Sequence, residues 1–143
     1  MAVTPAENPT AERRWDLAAI KEGASGAVLF AVPFTLIARF AFDDGDASGW
    51  AAVLALASFF GFVLGGGVAA WRQERGTPLS HGVVTAVGVF VTVQAVFALI
   101  RLLAGNSVNL GRILVSLVLT ALAGLIGGFL GSFRQRQGMR PRR

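Results

Sequence analysis

Uncharged, mostly apolar positions do not alternate in short runs along this chain; they collect into four long stretches, at positions 23–38, 47–71, 82–100 and 113–133. A helix needs about 20 apolar residues to cross a hydrocarbon core of about 30 Å, so the last three are long enough as they stand. The first reaches that length once Arg39 snorkels to the surface, because Phe40, Ala41 and Phe42 carry the apolar run past it. The pattern predicts an all-α membrane protein with four transmembrane helices, over residues 24–42, 50–71, 82–100 and 113–133. Pro33 removes a backbone donor and should kink the first. The connections are the acidic Asp43-Asp44-Gly45-Asp46, a turn through Gly76-Thr77-Pro78, and a neutral segment, residues 102–111, with Gly and Asn.

Two polar segments flank the membrane domain of residues 24–133. In residues 1–23, Thr10 stands where it would cap a short helix, and Trp15, Leu17, Ala18 and Ile20 are suited to resting on a membrane surface. No small-residue cleavage signature separates the first stretch from the acidic loop, so it reads as a retained span. Residues 134–143 form a tail with Arg134, Arg136, Arg140, Arg142 and Arg143 and no acid.

Composition agrees with this division. Of 143 residues 54% are hydrophobic and 15% charged, which excludes a disordered chain and disfavours a soluble globule. Twelve arginines and one lysine give a net charge of +5, a balance that in a soluble protein would point to nucleic acid. Their placement points elsewhere. Arg13, Arg14, Lys21, Arg72, Arg75 and the five tail arginines fall on one side of the four spans, and Arg39, Arg101 and Arg112 on the other. Basic residues beside short loops mark the cytoplasmic side, so both termini are expected there, in the inner membrane of a cell. The tail then lies against anionic lipid headgroups, each arginine close to the surface contributing about 1 kcal/mol, and no nucleic-acid partner is needed.

The chain also repeats. Slid along itself until Gly65 meets Gly127, the run Gly65-Gly66-Gly67-Val68-Ala69-Ala70-Trp71-Arg72-Gln73 falls on Gly127-Gly128-Phe129-Leu130-Gly131-Ser132-Phe133-Arg134-Gln135, and Arg39 falls on Arg101. The expected architecture is two repeated helical hairpins related by a two-fold axis along the membrane normal.

Helices in lipid gain little hydrophobic energy on contact and associate through close backbone approach. Small residues four apart, at Gly61, Gly65, Gly66, Gly124, Gly127, Gly128 and Gly131, are the expected packing positions, within one subunit or between subunits. No Asp, Glu or Lys lies inside a span, which argues against proton-coupled pumps and cation exporters. Thr92 and Gln94 in the third span, with Arg39, Arg101 and Arg112 at the outer ends, are the residues that would line a polar path for a neutral or anionic solute. His81 opens the third span as an interfacial cap, with Glu22 or Glu74 the acids that a proton-sensitive role would require. With no cysteine, one histidine and no nucleophile motif, neither cofactor, metal site nor catalysis is expected.

Gly66-Gly67-x-x-Ala70-x-Arg72, a short loop, and His81-Gly82 opening the next span, followed by Gly124, Gly127, Gly128 and Gly131, resemble a group of uncharacterised small four-helix bacterial integral membrane proteins. The likeness covers roughly residues 61–135 and implies topology without an activity. Preference for Arg over Lys, with abundant Ala, Gly and Val, suggests a GC-rich bacterial genome. The expected role is association, as a homo-oligomer or an accessory subunit of another membrane protein; the alternative is a small channel or carrier.

Overall fold

The computed structural model describes residues 15–42 and 49–138, with the backbone alone for residues 39–42. Among these, four α-helices follow one another: α1 (Leu17–Phe42), α2 (Gly49–Arg72), α3 (Pro78–Leu103) and α4 (Leu110–Arg136). At about 1.5 Å per residue they are roughly 36–41 Å long, and each is long and apolar enough to cross a membrane. Side-chain placement adds to this. Leu29, Leu56, Leu64, Leu99, Leu114 and Phe129 face outward, while every buried residue of α4 is Thr, Ala or Gly. A water-soluble bundle would bury its large apolar side chains; a bundle in lipid leaves them outside and packs through small ones.

Local chemistry sets the helix ends. Asp16 starts α1, its Oδ1 accepting the Ala19 N–H at 3.2 Å. Leu17, Ala18 and Ile20 therefore continue the spanning helix instead of forming a separate surface helix, and α1 begins ahead of the expected position 24. Lys21 and Glu22 lie within it, and Glu22 Oε2 is 2.7 Å from Arg72 Nε at the end of α2. Both side chains are partly exposed, so this pair contributes little stability. The expected cap at Thr10 lies outside the described residues. Gly76, at φ +74°, turns the chain into Pro78 in the first turn of α3. Gly105, also at φ +74°, ends α3: its N–H donates to the Leu102 carbonyl and the Asn106 N–H to the Arg101 carbonyl, a Schellman closure. Asn109 caps α4, accepting the Arg112 N–H at 3.0 Å. α1 runs through Pro33 as one helix.

Glycines decide which helices meet. α1 and α2 run antiparallel at backbone contact, Gly61 against Ala31 and Gly65 against Ala27 and Gly23; a Cβ added at Gly65 would lie 2.6 Å from Ala27 Cβ. α3 and α4 meet likewise through Gly82, Gly124 and Gly128. α2 and α4 run side by side in parallel: Gly127 lies against Val63 and Gly67, Gly131 against Gly67 and Ala70, and Gly66 against Gly124 and Gly82. All seven expected packing glycines are used within the subunit. Two faces of α4, one through Gly124 and Gly128 and the other through Gly127 and Gly131, wedge it between α3 and α2.

That wedge corrects the expected two-fold. Carried into the second copy of the repeat, the Gly65–Ala27 contact would place Gly127 on Val89, yet Gly127 packs on α2 instead. Moreover α2 packs against α3, whereas among the described residues no Cα of α1 comes within 8 Å of one of α4. Gly127 nevertheless lies level with Gly65, between Val63 and Gly67, and Gln73 hydrogen-bonds its counterpart Gln135.

One buried polar group is poorly served. Thr85, 1% exposed on α3, leaves its hydroxyl without a hydrogen-bond partner. Thr85→Val keeps the shape and removes the unmet group, so it is expected to stabilise the bundle by about 1 kcal/mol, read as a raised melting temperature in detergent.

Candidate functional site

Because α1 and α4 stand apart, a cavity of about 190 Å³ opens between all four helices in the half of the bundle away from the basic ends of α2 and α4. Its polar lining is unusual for a lipid-embedded core: Thr35 from α1, Ser58 from α2, Gln94 from α3, and Arg112, Ser116 and Thr120 from α4. The Thr35 and Ser58 hydroxyls lie 2.6 Å apart, and both reach the Ala31 carbonyl, at 2.9 and 2.8 Å. Thr120 donates to the Ser116 carbonyl at 2.8 Å. These bonds satisfy hydroxyl donors locally and leave oxygen lone pairs along the wall. Phe62 and Phe90, both buried, pack edge to face at 6.4 Å between centroids and line the cavity beside the glycine-packed half.

Gln94 is the amide within the span, 7% exposed. It also lines a second cavity of about 30 Å³, room for a water molecule, with Arg101, Asn109 and Arg112. Gln94, Arg101 and Arg112 are thus brought together. Thr92 is not: it is exposed, and its hydroxyl returns to the Gly88 carbonyl at 2.8 Å. Two residues along a helix are about 200° apart, so Thr92 and Gln94 face opposite ways. The Arg39 side chain lies outside the described residues. Sequence reasoning does not single out Thr35, Ser58, Ser116 or Thr120, since a hydroxyl that can bond its own helix carries no sign of its neighbours.

The opposite end is tied by His81, which is fully buried. The backbone N–H of Asp16 donates to Nε2 at 2.9 Å, so the ring proton is on Nδ1, which donates to the Thr77 carbonyl at 2.8 Å. Trp15 packs across the ring at 5.4 Å. His81 therefore joins the starts of α1 and α3, and Glu22 pairs with Arg72 instead. Gln135 Nε2 donates to the Trp71 and Gln73 carbonyls at 2.8 and 2.7 Å, capping the end of α2 from α4. Arg134 and Arg136 lie in the last turn of α4; Arg140, Arg142 and Arg143 lie outside the described residues.

No family model, curated protein or solved structure matches the chain. The fold and the distribution of its side chains define the class: a small, all-helical, multi-pass membrane protein with four helices able to span.

Proposed function

We propose that this protein is a non-enzymatic membrane protein that admits a small neutral or anionic solute into the four-helix cavity centred on Gln94. Both termini lie in the cytoplasm by the placement of arginines, so the cavity faces outward. One observation carries the reading: a nearly buried glutamine shares its cavity with hydroxyls from three helices and with Arg112, a polar cluster inside an otherwise apolar bundle. At about 190 Å³ the site suits a solute smaller than a typical drug-sized ligand. Arg112, a fixed cation, favours an anion or the negative end of a neutral dipole. Phe62 and Phe90 separate the cavity from the glycine-packed half, so passage requires that pair to move.

Association, as a homo-oligomer or an accessory subunit, is the second reading. Gly88 favours it: an added Cβ there would meet nothing within 4 Å, and Thr92 one turn on is also exposed, leaving a small outward face on α3 for a further helix.

The chain has no cysteine, so single introduced thiols separate the two readings. Ser116→Cys and Thr120→Cys are expected to react with a membrane-impermeant thiol reagent added outside intact cells, and to be slowed by a solute that fills the cavity. Thr92→Cys should stay unmodified. No labelling at 116 and 120 from either side would mean a dry interior and would leave association standing; labelling only after permeabilisation would invert the orientation.

A further inference from the structure

A second concavity lies outside the bundle, on the α2–α4 face. It measures about 540 Å³ and is lined by Val63, Gly67, Val68, Leu130 and Gly131, with Trp71 and Phe133 at its rim. The groove exists because Gly67 and Gly131 contribute no side chains where the two parallel helices meet. Its basic end carries Arg134 and Gln137, both exposed.

We propose that this groove binds one anionic phospholipid, an acyl chain lying along α2 and α4 and the phosphate at Arg134 and Gln137. Length supports a chain over a helix. From Trp71 back to Val63 the groove follows about 12 Å of helix, close to the roughly 15 Å of one leaflet. A partner helix would need a stripe continuing along the span, whereas this one stops where Val63 turns into the core beside Phe62. Charge supports an anionic headgroup: a guanidinium stands at the mouth, with Arg136 close by in the same last turn of α4. Among the described residues the acid nearest in sequence to this rim, Glu74, lies beyond the end of α2. Aromatic rings at the rim fit the headgroup level, where Trp is enriched. This site is independent of the cavity around Gln94, which opens toward the other end of the bundle.

Trp71 reports on the groove directly. In the full chain with Trp15→Phe and Trp50→Phe, checked for an unchanged melting temperature, Trp71 fluorescence is titrated with phosphatidylglycerol or phosphatidylcholine brominated on the acyl chains. Quenching by both is expected, with phosphatidylglycerol about fivefold the stronger binder, the factor that one surface cation supplies. Arg134→Gln in the same background should bring the two lipids level, and Val68→Phe, which fills the groove, should weaken quenching by both. Equal affinity for the two lipids in the parent protein would reduce the site to ordinary lipid contact. A selectivity unchanged in Arg134→Gln would also overturn the proposal, and so would Trp71 unquenched by either lipid, the signature of a groove covered by polypeptide.

Discussion

Gly127→Leu is expected to abolish the folded bundle in mild detergent, whereas Gly88→Leu leaves it intact. An added Cβ at Gly127 would overlap the Val63 carbonyl oxygen and come within 2.7 Å of the Gly67 nitrogen, both backbone atoms, so no rotamer change relieves the clash. Leucine adds three further carbons and forces α4 away from α2. Since α4 is also held to α3 at Gly124 and Gly128, the displacement spreads through both contacts. Overpacking commonly costs about 1–3 kcal/mol; with backbone on the far side the loss here is about 3 kcal/mol or more. Gly65→Leu fails for the same reason against Ala27 and Gly23, separating α1 from α2. Gly88, by contrast, faces outward with open space, and leucine there should stay within about 0.5 kcal/mol of the parent. Size-exclusion profiles and thermal melts in detergent read all three. If Gly127→Leu melts like Gly88→Leu, the close α2–α4 approach is not what holds the bundle.

The second large effect is expected at His81. His81→Ala removes the acceptor for the Asp16 N–H, the donor to the Thr77 carbonyl and the ring that packs on Trp15. The loss is about 2–4 kcal/mol, combining the unmet Asp16 N–H with a cavity, because the Thr77 carbonyl keeps the backbone N–H of position 81 and the Ser80 hydroxyl. His81→Phe distinguishes the two causes. It keeps most of the ring packing but accepts no hydrogen bond, so it should recover only the cavity part and remain about 1–3 kcal/mol below the parent. The melt is accompanied by a red shift of Trp15 emission as the start of α1 separates from α3. A His81→Phe protein as stable as the parent would mean that the ring acts only by filling space.

Length and apolarity made the four spans legible, because crossing a membrane imposes about 20 apolar residues whatever the partners are. The same reasoning located Gly61, Gly65, Gly124 and Gly127 as contacts, since few other roles suit glycines four apart in a lipid-embedded helix. It could not assign them to neighbours. Small-residue spacing fixes a face of one helix and says nothing about which helix it meets, so the repeat that sets Gly65 on Gly127 read as a two-fold, which the wedge of α4 between α2 and α3 does not obey. The start of α1 was misplaced because Lys21 and Glu22 count against a span, yet the helix includes both, with Arg72 beside Glu22.

Gln94 stood out as a polar residue in an apolar stretch, and its neighbour Thr92 was grouped with it by proximity in sequence although the helix turns them apart. Membership of the four-helix cavity followed a different logic. Thr35, Ser58, Ser116 and Thr120 come from three helices, and hydroxyls that bond carbonyls of their own or an adjacent helix look alike in sequence whether they face lipid or a cavity. Lipid solvation and charge act on each helix separately, so the four spans, the placement of the arginines and the glycine faces can be read from the residues alone. That α1 and α4 stand apart, that six polar residues line the cavity beside them, and that His81 holds the start of α1 against α3 depend on distances between helices, which no periodicity encodes.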